Sequence, residues 1–341
     1  MGLQVGDTVE VLRKELILAT LDAGGRLEAL PFMPEMLQYC GRRFTVTASA
    51  HKTCDTASMA AIGMRQMEDA VHLGDLRCDG SAHGGCQAGC LLFWKTDWLR
   101  KVEDPGSAHA TGSEDAAGGR SDASVASAAP CTDADLVAAT TRGDVEAVAG
   151  GEAERLYVCQ ATELVKATRH LPWWSVRQYV QDVRSGNVTL PALLRGLAVM
   201  LFNKAQGANR KLLPRFKVFL GARKYPFIQG RAVGRTPKLR LDLMEGTEVR
   251  VRPLDEIERT LGADKRNRGL SFDREMVPYC GQRTRVARRV ERVIDEHTGR
   301  MLEIRGDCLV LEDVVCKGLY HHFCPRKAYP FWREIWLEPE P

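Results

Sequence analysis

The sequence is 341 residues long and carries 48 Lys and Arg against 44 Asp and Glu, a formal net charge of +4 at pH 7, with 44% hydrophobic residues. This length and composition indicate a globular protein of two or three domains, and no apolar run reaches the ~18 residues that would indicate a transmembrane helix. The N-terminal sequence MGLQVGDTVEV lacks the basic and apolar regions of a secretion signal, which predicts a cytoplasmic protein. In a reducing compartment its 11 cysteines are expected to be thiols or metal ligands rather than disulfides.

Residues 1–102 are predicted to form a first cysteine-rich module. The segment 5–11, VGDTVEV, is typical of a turn followed by a strand, because hydrophobic and polar residues alternate in it. Short helical turns are expected at 15–21 and 35–37, and further strands at 43–47, 70–76 and 91–102. The opening strand and the run of short strands resemble an SH3-like small barrel of the kind seen in KOW-type domains. That resemblance implies nucleic-acid binding.

Two segments of opposite charge follow the first module. Residues 103–154 hold eleven acidic residues and two Arg in a background of Ala, Gly and Ser, which predicts a disordered acidic linker. Residues 155–240 are predicted to be a basic helical segment, with twelve Lys or Arg and no acidic residue between 191 and 240. Three interpretations of the basic stretch remain open. It is a solvated face, or the acidic linker screens it, or it contacts an anionic partner such as a nucleic acid, an acidic glycan or a membrane surface.

Residues 241–341 are predicted to form a second module, because this part of the chain repeats the first. LPFMPEMLQYCGRRFTV at 30–46 returns as LSFDREMVPYCGQRTRV at 270–286, and 17 of 41 paired positions are identical between 6–46 and 246–286. The match resumes later at an offset of 238 instead of 240, where Cys78, His83, Cys86, Trp94 and Trp98 pair with Cys316, His321, Cys324, Trp332 and Trp336. The sequence therefore predicts an α+β protein in which two SH3-like small β-barrel modules flank a helical middle segment.

Matched cysteines predict a metal site in each module. The candidates in the second module are Cys280, Cys308, Cys316 and Cys324, the ligand number of a closed structural zinc site. The candidates in the first module are Cys40, Cys78 and Cys86, with Cys54 or Cys90 as the fourth ligand because Ala70 corresponds to Cys308. The pattern Cys-x4-His-x2-Cys leaves a Cys3His site open in both modules, through His83 and His321.

The type of metal is not determined by this pattern. Zinc in two sites is expected first, because small modules with little core often need a structural metal. An iron–sulfur cluster on the same cysteines is the alternative, since such clusters take four thiolates. The alternative is that the cysteines are small buried core residues. That explanation suits one or two isolated cysteines better than a matched set located at turns. Glu35 and Glu275 each stand next to an apolar methionine near the cysteine turns, where they are expected to orient a ligand or accept backbone hydrogen bonds.

No motif of a common enzyme class is present. The sequence lacks GxxxxGK[ST], GxGxxG after a strand, GxSxG and HExxH. RNRGLSFDREMVPYCGQ and YPFWREIWL resemble an uncharacterised bacterial family with tandem cysteine-rich modules, associated with surface-polysaccharide loci, and the resemblance implies no mechanism. Three hypotheses follow. The first is a metal-binding scaffold or binding protein whose basic middle contacts an anionic partner. The others are an iron–sulfur redox or sulfur-handling protein and a KOW-type nucleic-acid-binding protein.

Overall fold

The protein is a mixed α and β structure built from several small antiparallel sheets. The computed structural model describes residues 2–55, 63–102, 131–145, 154–209, 223–304 and 307–340. The expected combination of helices and strands is confirmed. The expected barrels are not seen among the described strands, because each larger sheet stays open with two edge strands that do not pair with each other. None of the helices in these ranges is long and apolar enough to cross a membrane.

An open five-stranded sheet organises the first part of the chain. The strands are β1 Thr8–Val11, β2 Arg26–Leu27, β3 Leu30–Pro31, β4 Arg43–Ser49, β5 Lys52–Asp55, β6 Gly63–Gln66, β7 Ala70–Leu73, β8 Trp94–Lys95 and β9 Leu99–Lys101. Helix α1 covers Lys14–Leu18, and 3₁₀ helices cover Pro34–Tyr39 and Thr96–Trp98. The sheet has the order β8-β7-β4-β1-β9, while β5 and β6 form a separate hairpin. In β1 the valines Val9 and Val11 are fully buried and their neighbours are partly exposed, as alternation along a strand requires.

Aromatic side chains fill the core beneath this sheet. Trp94 and Trp98 have no exposed surface. The ring of Phe32 meets that of Trp98 edge-on, with 5.1 Å between centroids, and Nε1 of Trp98 donates a hydrogen bond to Oγ1 of Thr20 at 3.1 Å. The indole N–H of Trp98 thus keeps a hydrogen-bond partner in the core, whereas that of Trp94 is buried without one among the described residues.

The middle of the chain contains short helices and strands. The helices are α2 Asp133–Ala138, α3 Gln160–Glu163, α4 Val176–Arg184 and α5 Leu190–Asn209. The strands are β10 Thr141–Val145, β11 Glu154–Tyr157 and β12 Arg169–Leu171. Strand β11 pairs with β10, and β12 pairs with β6, so the middle of the chain adds a third strand to the first hairpin.

Two predictions for this middle region need correction. The disordered linker at 103–154 is wrong for residues 131–145, where Thr132 caps α2 and Leu136 is buried in the first core. The buried side chains of Cys131 and Leu136, the cap at Thr132 and the pairing of β10 with β11 hold this segment in place. The helical prediction for 155–240 misses β11 and β12, which form by pairing with strands distant in sequence. Residues 103–130, 146–153 and 210–222 lie outside the described residues.

A second open sheet occupies the last part of the chain. Its strands and hairpins are β13 Glu248–Val251, β14 Arg266–Asn267, β15 Leu270–Ser271, β16 Arg283–Arg289, β17 Arg292–Ile294, β18 Met301–Glu303, β19 Cys308–Leu311, β20 Trp332–Arg333 and β21 Leu337–Pro339. Helix α6 covers Leu254–Thr260, and 3₁₀ helices cover Arg274–Tyr279 and Glu334–Trp336. The sheet order β20-β19-β16-β13-β21 uses strands that correspond in sequence to those of the first sheet, and the β17–β18 hairpin corresponds to β5–β6.

Candidate metal centres

The first cluster joins a buried carboxylate to the loop that follows β7. Glu35, in a 3₁₀ helix, places Oε1 3.7 Å from Sγ of Cys78 and 2.5 Å from Nδ1 of His83. The loop turns at Gly80, whose φ is +75°, and a Cβ there would lie 2.1 Å from the carbonyl oxygen of Cys86. Oε2 of Glu35 is buried without a hydrogen-bond partner among the described residues. The cluster thus contains an acceptor that an added cation would satisfy.

The far ring nitrogen of His83 determines how the ring faces the cluster. Nε2 lies 2.9 Å from the carbonyl oxygen of Val158. A carbonyl oxygen only accepts hydrogen bonds, so Nε2 carries a proton, and Nδ1 faces Glu35 and Cys78. Metal-binding histidines are typically held in this way, with the second nitrogen donating to a carbonyl or carboxylate. His83 is therefore oriented to coordinate an ion through Nδ1.

The second cluster contains the same three residue types at corresponding positions. Sγ of Cys316 lies 3.6 Å from Nδ1 of His321, and the ligand atoms of Glu275, Cys316 and His321 all lie within 4.8 Å of one another. Oε1 of Glu275 accepts the backbone N–H of Tyr320 at 2.5 Å. Nε2 of His321 lies 3.6 Å from Oδ1 of Asp273, so a carboxylate faces the nitrogen that a backbone carbonyl holds in the first cluster.

The distances to the two sulfur atoms fit a small tetrahedral ion. Zinc–sulfur bonds of about 2.3 Å and zinc–nitrogen bonds of about 2.0 Å place sulfur and nitrogen about 3.6 Å apart. That is the distance between Cys316 and His321, and the 3.7 Å between Cys78 and Glu35 agrees with it. The 2.5 Å between Oε1 of Glu35 and Nδ1 of His83 is instead a hydrogen-bond distance. Tetrahedral coordination needs about 3.3 Å there, so an ion would replace this hydrogen bond and the carboxylate would withdraw slightly.

Burial keeps both cluster thiols protonated when no ion is bound. Burial, together with the carboxylate of Glu35, raises the pKa of Cys78 far above its usual range. Burial and Glu275 do the same to the pKa of Cys316. A divalent cation supplies the positive charge that a buried thiolate lacks, so metal binding at either cluster would release a proton.

Cys86 and Cys324 lie at an interface between the two halves of the chain. Sγ of Cys86 accepts the backbone N–H of Ile294 in the β17–β18 hairpin at 3.3 Å. Sγ of Cys324 accepts the backbone N–H of Cys54 in the β5–β6 hairpin at 3.1 Å. Cys54 and Ile294 are separated by the repeat offset of 240. The loops that carry Cys86 and Cys324 therefore each supply a sulfur acceptor to the hairpin of the other half. Cys54 consequently lies beside Cys324 and not in the first cluster.

The Cys54–Cys324 pair shares its protons unequally. Both side chains are buried. Burial alone would raise the pKa of Cys324, but hydrogen bonds from Cys54 and from the backbone of Arg326 lower it to about 6, while the pKa of Cys54 is raised well above its usual value. Arg326, buried and paired with Glu296 at 2.6 Å, places a positive charge beside this sulfur. The thiolate of the pair is thus on Cys324.

Three other predicted ligands lie apart from the clusters. Cys40 and Cys280 end the two corresponding 3₁₀ helices as C-cap residues. Cys308 is buried in β19, where it packs with Val290 and Val310. Neither Glu–Cys–His cluster in the described part of the chain contains any of these three sulfur atoms. Their positions in the fold are those of cap and core residues.

A small cavity next to the first cluster brings four cysteines together. It has a volume of about 30 Å³ and is lined by Cys78, Cys86, Cys90 and Cys159, together with His83 and Arg326. Burial raises the pKa of Cys159 to about 12. Cys159 was not among the predicted ligands, because it belongs to the middle segment, which does not repeat. Only its position in space identifies it.

The two glutamates were partly predicted. Their expected role as acceptors of backbone hydrogen bonds is confirmed, since Glu275 accepts N–H groups from Lys317 and Tyr320. Their carboxylates, however, lie inside the clusters. A Glu-Met pair at the same place in both halves was the available signal. Asp273 had no such signal, because Met33 occupies the corresponding position.

Comparison of the chain with family models, with curated proteins and with solved structures found no match in any of the three.

Proposed function

We propose that the protein binds two divalent metal ions, one in each Glu–Cys–His cluster, and that zinc is the preferred ion. The recurrence of the same three ligand types at corresponding positions carries this proposal. In each cluster the far nitrogen of the histidine faces a hydrogen-bond acceptor. Thiolate, imidazole and carboxylate together suit zinc better than they suit calcium or magnesium, which prefer oxygen ligands.

The ions would stabilise a non-enzymatic scaffold or binding protein made of two copies of one module. In the first cluster an ion would join Glu35 to Cys78, which is 43 residues further along the chain. A metal that closes a loop of this length offsets its conformational entropy, and small modules with limited cores gain most from it. The second ion would join Glu275 to Cys316 in the same way.

The metal proposal is tested by elemental analysis of protein purified without oxygen. We expect about two zinc ions per chain in a colourless protein. Cys78→Ser and Cys316→Ser should each remove one ion, because each takes one thiolate from one cluster. Cys40→Ser serves as the control and should keep both ions. Full metal content in both cluster variants would contradict the proposal.

The second candidate is an iron–sulfur protein that uses the cysteines around the small cavity. Four cysteines lining one space match the number of ligands that such a cluster requires, and this observation favours it, with the cavity of about 30 Å³ having to widen to hold the cluster. Cys78 belongs to both arrangements, so the two candidates exclude each other at the first site. A brown protein that loses iron in Cys159→Ser but keeps it in His83→Gln would favour this candidate. Zinc lost in His83→Gln but kept in Cys159→Ser would favour the first.

We also propose that the basic stretch between 191 and 240 contacts an anionic partner. Its support is the sequence charge, twelve Lys or Arg without an acidic residue; residues 210–222 within it lie outside the described part. A nucleic-acid partner of the KOW type predicts affinity that falls steeply with salt. Titration with labelled RNA and DNA at two salt concentrations tests this, and binding that does not change with salt would count against it.

A further inference from the structure

Helices α4 and α5 run side by side in opposite directions. Oη of Tyr179 in α4 lies 3.5 Å from Sδ of Met200 in α5. Trp173 comes just before α4, and Nζ of Lys204 lies 4.4 Å from the centre of its ring. Residues early in α4 therefore meet residues late in α5. The inner side of this pair is anchored on the second half of the chain, because the ring of Tyr179 meets that of Phe323 edge-on at 6.3 Å.

The outer side of the helix pair exposes large apolar side chains. They are 43% to 70% exposed, and the surface that they form is called the α4–α5 face: Trp174, Val176, Val180, Leu190, Leu194 and Leu201. The three leucines are spaced by four and seven residues, so they share one side of α5 in a helix of about 3.6 residues per turn. The two valines share one side of α4 in the same way. Large apolar side chains gathered on one exposed surface indicate contact with another molecule or with a membrane.

Every exposed charge on α4 and α5 is positive. The exposed charged residues are Arg177, Arg184, Arg195 and Lys204. The single acidic residue between 172 and 209 is Asp182, which has no exposed surface and pairs with the buried Lys52. Successive residues of a helix are about 100° apart, which places Arg195 on one side of the leucine stripe and Lys204 on the other. The α4–α5 face is therefore an apolar stripe flanked by cations.

A bilayer that contains anionic lipids complements both features of this face. Leucine and tryptophan side chains are stabilised where the headgroups meet the acyl chains, and arginine and lysine extend from there to the lipid phosphates. A nucleic acid would meet the cations but would leave the leucines exposed to water. A second copy of the chain would bury the leucines but would place like charges against each other, because every exposed charge on the two helices is positive.

We propose that the α4–α5 face binds the surface of membranes that contain anionic lipids. The leucine stripe and Trp174 enter the boundary between headgroups and acyl chains, and Arg195 and Lys204 contact lipid phosphates on either side of the stripe. Both cations belong to the basic stretch between 191 and 240. The inference therefore rests on the proposed contact of that stretch with an anionic partner, and it identifies the partner. It requires no metal ion in either cluster.

Co-sedimentation of the full chain with lipid vesicles tests the inference. We expect binding to vesicles of equal parts phosphatidylcholine and phosphatidylserine, and roughly tenfold weaker binding to phosphatidylcholine alone, because a surface without net charge attracts the cations less. Leu194→Gln/Leu201→Gln should weaken binding to the anionic vesicles roughly tenfold, since it removes two side chains that enter the bilayer. Leu16→Gln/Leu302→Gln changes two leucines that are exposed elsewhere and serves as the matched control.

A second pair of variants tests the cations of the face. Arg195→Gln/Lys204→Gln should weaken binding to the anionic vesicles roughly tenfold, because it removes two contacts with lipid phosphates. Arg235→Gln/Lys238→Gln changes two exposed cations of the same stretch that lie outside the face, and it should bind as the unchanged protein does. All these positions are exposed, so the variants should fold, which circular dichroism verifies.

The outcomes separate this inference from the proposed function. Unchanged binding of Leu194→Gln/Leu201→Gln, or equal binding to both vesicle compositions, would overturn the inference. If vesicles do not bind but RNA or DNA does, the inference is wrong and the proposed contact with an anionic partner stands. If vesicles, nucleic acids and acidic glycans all fail to bind, both proposals fall. A dimer that the leucine variant disrupts, in protein that binds no vesicles, would assign the face to a second copy instead.

Discussion

The first Glu–Cys–His cluster lies beneath the segment that carries Val158 and Cys159, whereas the second lies beside α5 at the edge of a large pocket. The ligands stand at corresponding positions of the repeat. The segment with Val158 and Cys159 and helix α5 are unrelated in sequence. Both belong to the middle of the chain, which does not repeat. The comparison shows that corresponding positions supply the three residue types of each cluster, whereas the segments packed against the clusters come from the part of the chain that does not repeat.

The largest effect on stability is expected at a buried ion pair in which the β5–β6 hairpin differs from the β17–β18 hairpin. Lys52 in β5 has no exposed surface, and its Nζ lies 2.5 Å from Oδ2 of Asp182, while the corresponding Arg292 is exposed. Asp182→Ala would leave a buried ammonium group without its counter-charge and should lower the free energy of unfolding by about 3–5 kcal/mol. Urea unfolding followed by circular dichroism measures it.

Two further variants make this test specific. Arg292→Ala should change the free energy of unfolding far less, because water replaces its contacts. Lys52→Met/Asp182→Leu should recover much of the loss, since an apolar pair of similar volume often replaces a buried ion pair without cost. Equal stability of Asp182→Ala and Arg292→Ala would show that the two hairpins are energetically alike.

A chelator should remove the metal ions of the two clusters at different rates. The side chain of His321 is 16% exposed and that of His83 is 1% exposed, so we expect a chelator to remove the second ion first and the first ion only on slower opening of the structure around it. Loss of each ion should cost about 3 kcal/mol of stability when it is present at about a hundred times its dissociation constant. Metal release monitored with a colorimetric chelator in Cys78→Ser and Cys316→Ser measures the two rates. Equal rates would contradict the difference in access.

Acid should destabilise the first half through His72. This side chain is fully buried, burial lowers its pKa to about 4, and Val310 occupies the corresponding position. Below about pH 6.5 His72 becomes protonated in the unfolded chain, whereas in the folded chain it stays neutral down to about pH 4. The folded state is therefore progressively destabilised between these two pH values. Between pH 7 and 5 the loss should be about 2 kcal/mol.

The variant His72→Val copies the second half and should remove this part of the acid sensitivity. It also leaves the carbonyl oxygen of Leu92 without the hydrogen bond from Nδ1, 2.8 Å long, so its stability at pH 7 should be lower by about 1–2 kcal/mol. Urea midpoints at pH 7 and pH 5 provide the comparison. An unchanged pH dependence in the variant would assign the acid sensitivity to other groups.

The smallest effects are expected at the cysteines that end the 3₁₀ helices. Cys40→Ala and Cys280→Ala should keep the full metal content and change stability by about 1 kcal/mol or less, because both side chains are only half-buried. Elemental analysis and thermal unfolding decide the matter. Loss of one ion in either variant would restore these cysteines as ligands and would place the sites nearer to the sequence prediction.

Much of the fold was readable from local pattern. Alternation in β1 and β13 and the aromatic pairs at the end of each half specify which face is buried, and both follow from neighbouring residues. Cys78 and His83 were identified because they recur at fixed spacing. Repetition could not reveal Cys159 or Val158, since the middle segment occurs once, and their closeness to His83 depends on packing over 75 residues of chain.

The sulfur contacts of Cys86 and Cys324 carry one more consequence. Cys86 of the first half contacts Ile294 of the second, and the corresponding residues, Cys324 and Cys54, make the same contact in the opposite direction. Reciprocal contacts of this kind occur in two-fold symmetric dimers, where both subunits use the same surface patch. Here both partners belong to one polypeptide, so their association is intramolecular. Dilution does not separate them, and the midpoint of unfolding should stay the same over a wide range of protein concentration. A single break in the connecting chain would convert this intramolecular association into a bimolecular one.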